Sequence, residues 1–186
     1  MRLRPGRTLA FFVALVFVGT ACGSSQPKTE AAPEAFTSTE GRFSAEFPAT
    51  PNEDTQTASA EGVQLVVHLF TAETDDYAIS VGYVDYPEEF KTLDPKVILS
   101  GVAEGAAGNI GGGEVTKNDP STFMGLEAID YEVSADDASL QAKAFLKDNR
   151  MYILQGVSAE LADSAGEYNR LVESFKLLWA WSRPRG

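Results

Sequence analysis

The segment SLQAKAFLKDNRMYILQGVS, residues 139–158, predicts the centre of the fold. Apolar residues alternate along two runs that meet at Asp148-Asn149, and both residues of this pair tolerate the positive φ of a two-residue hairpin turn. Such a turn places Phe145 opposite Tyr152, a favourable cross-strand pair on one face of the hairpin. Because apolar side chains stand on the other face as well, we expect a sheet that is covered on both sides.

Four other segments alternate in the same way and predict further strands: GRFSAEFPATP (41–51), GVQLVVHLF (62–70), DYAISVGYVDYP (76–87) and GLEAIDYEVS (125–134). In the third of these, Ala78, Ser80 and Gly82 fall on one face, opposite a face of large apolar residues. Small side chains let a helix come close to a sheet. This face therefore leaves room for a helix to approach closely.

Two helices are predicted to cover the sheet. The first begins at Asp94-Pro95, an N-cap residue followed by proline at the first helical position, and it ends by the glycine run 111–113. The second runs from about Ser164 to Phe175, with apolar residues at helical spacing. Strands, a helix, more strands and a final helix predict an α+β class: a single domain with a mostly antiparallel sheet covered by helices.

The order of these segments resembles the PsbP-like α/β/α sandwich. It runs from RFSAEFPATP through YAISVGYVDYP, DPKVILSGVAEGAAGNI and GLEAIDYEV to RMYILQGVS and EYNRLVESFKLL, within residues 37–178. More specifically, the chain is similar to small actinobacterial lipoproteins of the LpqN type. The resemblance implies this fold for residues 37–178 and a place at a membrane surface. It carries over no ligand-binding residues.

Residues 1–21 have the pattern of a secretory signal peptide. Three arginines precede the ten-residue apolar block Leu9–Val18, which is about half as long as the hydrocarbon core of a bilayer. Gly19 to Cys22 resembles a bacterial lipobox, although Gly19 stands where leucine is usual. The alternative is an ordinary secretory signal cleaved after Ala21.

Cys22 is the only cysteine, and we expect it to be the lipidated N-terminus of the mature protein. A covalent diacylglycerol carries two acyl chains, which anchor a protein more firmly than one chain does. Residues 22–36, the acylated cysteine and a Ser-, Pro- and Glu-rich segment, predict a flexible tether. The expected location is outside the cell, with the lipid in the outer face of the cell membrane.

The charge of the chain restricts its partners. Without the three arginines of the signal, 12 basic residues stand against 27 acidic ones, a net charge of −15. Such a surface repels nucleic acid, and no basic stripe reverses this. The expected partners are therefore membrane lipid, through the anchor, and a protein of the envelope.

No residue pattern predicts catalysis, a metal or a bound cofactor. His68 is the only histidine, so a catalytic triad would need it, and no nucleophile elbow accompanies it. We interpret it as a partly buried, hydrogen-bonded core residue. Asp75-Asp76 and Asp136-Asp137 lack the spacing of a calcium loop and are interpreted as solvated turns. The glycine run of GNIGGGEV is interpreted as a helix stop.

The C-terminal tail, residues 179–186, holds Trp179 and Trp181 beside two arginines. The two indoles either pack inward or form a possible interface, and composition leaves both open. We expect a non-catalytic binding or accessory domain at the membrane surface. The alternative is a carrier of a small apolar or lipid ligand, which requires a cavity between helix and sheet.

Overall fold

A seven-stranded sheet forms the centre of the fold in a computed structural model that describes residues 35–60 and 63–178. The ten strands in chain order are β1 (Phe36–Ser38), β2 (Phe43–Ala45), β3 (Asn52–Ala60), β4 (Val63–Glu73), β5 (Tyr77–Asp85), β6 (Glu114–Phe123), β7 (Leu126–Ser134), β8 (Ser139–Lys147), β9 (Arg150–Ser158) and β10 (Lys176–Leu177). The large sheet has the order β3-β4-β5-β9-β8-β7-β6, and a small sheet has the order β1-β2-β10. Every neighbouring pair is antiparallel.

The predicted hairpin is confirmed with its register. Lys147 pairs with Arg150 and Phe145 pairs with Tyr152, so Asp148-Asn149 is a two-residue turn. Of these two turn residues, only Asp148 takes a positive φ, 58°. Strand β9 then pairs with β5 and joins two meanders, β3-β4-β5 and β6-β7-β8-β9, in one sheet.

The first predicted helix begins where expected but is divided in two: α1 (Pro95–Leu99) and α2 (Val102–Asn109). The Asp94 carboxylate accepts the N–H of Lys96 at 3.0 Å, which confirms the N-cap. The division falls at Ser100-Gly101, and a short 3₁₀ helix (Glu88–Thr92) precedes α1. The predicted glycine stop is confirmed, since Gly111 and Gly112 take φ values of 76° and 78°.

The second predicted helix forms as α3 (Leu161–Ser174), which begins three residues earlier than expected. Its first turn is fixed by Ser164, which is fully buried. The Ser164 hydroxyl accepts hydrogen bonds from the Ser158 hydroxyl at 3.0 Å and from the Gln141 amide at 3.1 Å. These bonds tie the start of the helix to β8 and β9.

Helices pack on both faces of the large sheet, and each face has its own core. On one face, α3 and the small sheet cover a cluster that includes Phe43, Tyr83, Phe145 and Leu171. On the other face, α1 and α2 cover a cluster that includes Leu99, Ala103 and Tyr131. The predicted α+β class, a mostly antiparallel sheet covered by helices, is confirmed.

The small-residue face of β5, which leaves room for a close helix, is not the face that α3 covers. Helix α3 lies over the opposite face, where Ile79 is buried, while α1 and α2 lie over β6, β7 and β8. The residue that admits α3 is Gly156 on β9: a Cβ there would lie 3.2 Å from both the Ser164 Oγ and the Tyr168 Cβ. At Gly82 the space is taken by the Leu69 side chain of the neighbouring strand, 3.1 Å from a Cβ.

Candidate functional site

One end of the large sheet holds a groove of about 380 Å³ with a mixed apolar and charged lining. We call this end the turn end, because the β6–β7 and β8–β9 turns and the β5–α1 connection all lie there. The groove separates α1 and the segment before it from the two turns. Its lining residues are Phe90, Lys91, Leu93, Pro95, Ile98, Gly125, Leu126, Glu127, Leu146, Lys147 and Asp148.

The charged side chains at the groove are held in ion pairs. Lys91 pairs with Glu88 at 2.6 Å, and Lys147 lies 3.5 Å from Asp148. Lys96 of α1 reaches Glu127 of β7 at 3.6 Å, which links the helix to the turn across the groove. These exposed pairs contribute little to stability.

Large apolar side chains are exposed at the groove or next in sequence to its lining residues. Leu93 is 46% exposed, Val97 of α1 is 66% exposed and Met124 of the β6–β7 turn is 47% exposed. Met124 and Gly125 have φ values of 52° and 78°, as in a type I′ turn. Asparagine, aspartate or glycine is usual at the Met124 position, because the left-handed region costs other residues roughly 1–2 kcal/mol. Met124 is therefore a large, exposed apolar residue in an unfavourable backbone conformation.

Asn149 of the β8–β9 turn positions one wall of the groove. Its side-chain amide donates to the Tyr86 carbonyl at 2.6 Å, and its own carbonyl accepts the Tyr86 N–H at 2.8 Å. The Tyr86 ring stacks on Phe90, with ring centroids 5.1 Å apart. The turn that sets the hairpin register thus also fixes the chain at the point where it leaves β5 for the groove.

A polar cluster lies at the turn end on the sheet face that α3 covers. The guanidinium of Arg150 donates to both carboxylate oxygens of Asp85, at 2.7 and 2.5 Å, and to the Glu40 carbonyl at 2.7 Å. Its Cζ lies 4.3 Å from the centroid of the Tyr83 ring. These hydrogen bonds from Arg150 hold the pKa of Asp85 below its usual value. His68 stacks on the same tyrosine ring, with centroids 4.5 Å apart and planes within 4°.

Two polar atoms of this cluster are buried without a hydrogen-bond partner in the described part of the chain: His68 Nδ1 and the Tyr83 hydroxyl. Tyr83 is 1% exposed. Burial, followed by the charge of Glu40, raises its pKa to about 12. His68 is partly buried, as the sequence predicts, but stacking on Tyr83 takes the place of the expected hydrogen bonding.

The last described residue, Leu178, lies close to the loop between β1 and β2. Leu178 donates its N–H to the Arg42 carbonyl at 2.8 Å and is 38% exposed. The adjacent Gly41 carbonyl accepts the Tyr152 hydroxyl at 2.8 Å. Trp179 and Trp181 follow in sequence but lie outside the described residues. Cys22, the predicted signal 1–21 and nearly all of the predicted tether lie outside them as well.

The other polar segments that the sequence drew attention to lie at the far end of the sheet. Asp136 and Asp137 are exposed and border, with the glycine loop 111–113, an open and mainly polar depression. Within residues 35–60 and 63–178, no three acidic, histidine or cysteine side chains come together as metal ligands. No helix in these ranges is long and apolar enough to cross a membrane.

Sequence patterns did not predict the groove. Its walls come from three separate parts of the chain, and only their packing brings Phe90, Leu126 and Leu146 together. One local signal was available: Met124 stands before Gly125 between two alternating segments, where a hairpin turn usually has a small polar residue.

Comparison with known proteins yields little beyond this geometry. No protein-family model matches the chain. No curated protein matches it either. The solved structures to which it is similar include a protein of unknown function from Pseudomonas aeruginosa, with 12% identity and a TM-score of 0.40 over 71% of this chain and 98% of that one. A similarity of this size supports no statement about function.

Proposed function

We propose that this chain is a lipid-anchored, non-catalytic binding domain of a bacterial envelope, and that a protein partner docks at its turn end. The observation that carries the proposal is the exposure of Leu93, which lines the groove, and of Val97 and Met124, which adjoin the lining residues Ile98 and Gly125 in sequence. Exposed apolar residues that adjoin one another mark interaction surfaces, whereas isolated ones need no explanation. The exposure of Met124 and its unfavourable backbone conformation both support a binding role for this side chain.

Binding rather than catalysis is favoured by the chemistry of the groove. Its lysines and carboxylates are engaged with one another, and a mixture of apolar and charged lining residues suits a protein interface, where apolar and polar contacts occur together. The tail that bears Trp179 and Trp181 follows Leu178, which lies close to the loop between β1 and β2. We propose that the two indoles extend this surface, because tryptophan is enriched among residues that dominate binding energy.

For the fold we propose membership of the PsbP-like α/β/α sandwiches, and for the location the outer face of the cell membrane through Cys22. Helices on both faces of an antiparallel sheet support the former. The lipobox-like sequence before Cys22 supports the latter. A domain on a tether of about 14 residues would stand roughly 20 Å from its anchor on average, with the turn end free to meet an envelope protein.

The test is a double variant, Leu93→Ser with Val97→Ser, in the full chain produced in its own envelope. After cross-linking and affinity capture, we expect the partner to fall at least tenfold, while the melting temperature stays within about 2 °C because both residues are at the surface. Val66→Ser is the matched control, since Val66 is 52% exposed on β4. Equal capture by wild type and the double variant would contradict the proposal.

A second candidate function follows from the size of the groove. About 380 Å³ lies within the range of small-molecule sites, so a carrier of a small apolar or lipid ligand is the alternative. Native mass spectrometry of the purified chain distinguishes the two. A co-purifying ligand that the Leu93→Ser, Val97→Ser variant loses favours the carrier, and a mass free of ligand favours docking.

A further inference from the structure

Strand β3 (Asn52–Ala60) is an unusual edge of the large sheet. It pairs with β4 over nine residues, from Asn52↔Thr71 to Ala60↔Val63, and within residues 35–60 and 63–178 no strand flanks its other side. The side chains of residues 52–57 are all exposed, on both faces of the strand. Little apolar burial therefore holds residues 52–57 in place, and the backbone ladder with β4 is their main attachment. Its outer row of N–H and C=O groups is open to another strand.

The opposite edge, β6 (Glu114–Phe123), is protected in ways that β3 is not. Its register shifts between Val115 and Lys117, as at a β-bulge. Pro120 has no N–H to donate, and Lys117 and Asp119 place charges along the edge. Bulges, proline and charges are the means by which natural sheets block edge pairing. Residues 55–60 of β3, TQTASA, contain none of them.

We infer that β3 is a self-association site, at which two copies of this chain pair antiparallel through β3 about a two-fold axis at Gln56. In this register Thr55 of one copy faces Thr57 of the other, and Gln56 faces Gln56. Cross-strand threonine pairs and glutamine amides are favourable neighbours. The product is a continuous sheet of two molecules, closed by its own symmetry.

The charges on β3 select this arrangement. Its two acidic residues, Glu53 and Asp54, are at one end. Antiparallel pairing centred on Gln56 separates the two Asp54 residues by about 13 Å and the two Glu53 residues by about 20 Å along the strands, at 3.3 Å per residue. Both distances exceed the screening length of about 8 Å at physiological salt. Parallel pairing would instead set like charges about 5 Å apart, which is destabilising.

Strand β3 pairs more favourably with β3 of a second copy than with β6 of a second copy. Pairing of β3 with β6 would be head to tail and would propagate into filaments. The bulge and Pro120 on β6 oppose it. Continuous pairing along β3 requires a partner strand without bulges or proline. Strand β3 of a second copy meets that requirement.

A charge exchange at Gln56 tests the inference. Two full-length copies with different affinity tags are co-expressed, and capture of one tag is scored for the other. Wild-type copies are expected to co-purify. Gln56→Lys in both copies, or Gln56→Glu in both, sets like charges opposite each other and should reduce co-capture at least tenfold. A Gln56→Lys copy together with a Gln56→Glu copy should restore it.

Asn118→Lys in both copies is the matched control, because Asn118 is an exposed residue on the other edge strand; its co-capture should equal that of wild type. Thermal unfolding of each variant verifies the fold. If a Gln56 variant unfolds, Thr55→Lys paired with Thr57→Glu tests the same register. Failure of the wild-type copies to co-purify would overturn the inference, as would Gln56→Lys copies that associate normally or a mixed pair that does not recover.

Discussion

Asn149 and Tyr86 hold each other through two hydrogen bonds, one from the Asn149 side chain to the Tyr86 carbonyl at 2.6 Å and one from the Tyr86 N–H to the Asn149 carbonyl at 2.8 Å. The two residues are 63 positions apart in sequence. Their contact connects the hairpin turn that organises the sheet to the segment that forms one wall of the groove. The turn residue therefore has two structural roles.

Asn149→Asp should lower the free energy of unfolding by about 1–2 kcal/mol. The substitution preserves the shape of the side chain but removes the donor, so the Tyr86 carbonyl loses its partner and faces a negative charge. Chemical denaturation measures the loss. Hydrogen exchange should also accelerate at residues 86–90, and exchange unchanged there would show that Asn149 does not position the groove wall.

Met124→Asn should stabilise the fold while weakening docking. Asparagine tolerates the left-handed conformation that Met124 adopts at φ 52°, so we expect a gain of about 0.5–1 kcal/mol. Partner capture should fall, because the exposed apolar side chain is removed. Met124→Ala is the control: it removes the same side chain without relieving the backbone, and it should weaken capture with no gain in stability.

Gly156→Ala should destabilise the protein by about 1–3 kcal/mol, as overpacking does in well-packed cores. The added Cβ would lie 3.2 Å from both Ser164 and Tyr168, so α3 would have to move away from β9. Gly105→Ala is the matched control. No atom lies within 4 Å of a Cβ at Gly105 in α2, and there alanine should stabilise by about 0.5–1 kcal/mol. Equal effects at the two positions, by thermal or chemical denaturation, would contradict this account of the helix contact.

Tyr83→Phe should be neutral or stabilising by up to about 1 kcal/mol at pH 7. The buried hydroxyl of Tyr83 has no partner in the described part of the chain, and removing such a group relieves a desolvation penalty. Tyr152→Phe provides the contrast, because the Tyr152 hydroxyl donates to the Gly41 carbonyl at 2.8 Å. That variant should lose about 1–2 kcal/mol in the same denaturation experiment.

The same tyrosine predicts the response to alkali. Burial raises the pKa of Tyr83 in the folded protein to about 12, above about 10 in the unfolded chain. A raised folded pKa contributes stability that is fully present below pH 10 and is lost as the pH rises from 10 to 12. Denaturation in this window should show a smaller loss in Tyr83→Phe than in wild type. An equal loss would mean that other buried tyrosines, such as Tyr131 and Tyr168, dominate the alkaline transition.

Cys22→Ala should abolish lipid labelling of the chain and leave it unprocessed or released from the membrane. A thioether-linked diacylglycerol requires the thiol, and Cys22 is the only cysteine. Metabolic labelling with a tagged fatty acid provides the measurement. Labelling that persists in the variant would contradict the proposed anchor and favour the alternative, an ordinary signal cleaved after Ala21.

The sequence by itself determined the local features of the fold, because their causes are local. Period-two alternation and a turn dipeptide placed Phe145 opposite Tyr152, and a side-chain cap with proline placed the start of α1 at Pro95. Strand β3 escaped prediction, since its exposed side chains follow no apolar pattern; pairing with β4 imposes its extended conformation. A strand's own propensity is weak beside such context.

Only the tertiary structure decided which face each helix covers and where a site could form. The small face of β5 and Gly156 of β9 both allow a close helix, and the choice between them depends on how strands distant in sequence become neighbours. The groove depends on the same step, because Phe90, Leu126 and Leu146 come from different elements. Alternation along a chain specifies which residues are buried, but the partner against which they are buried is set by long-range packing, which no local pattern encodes.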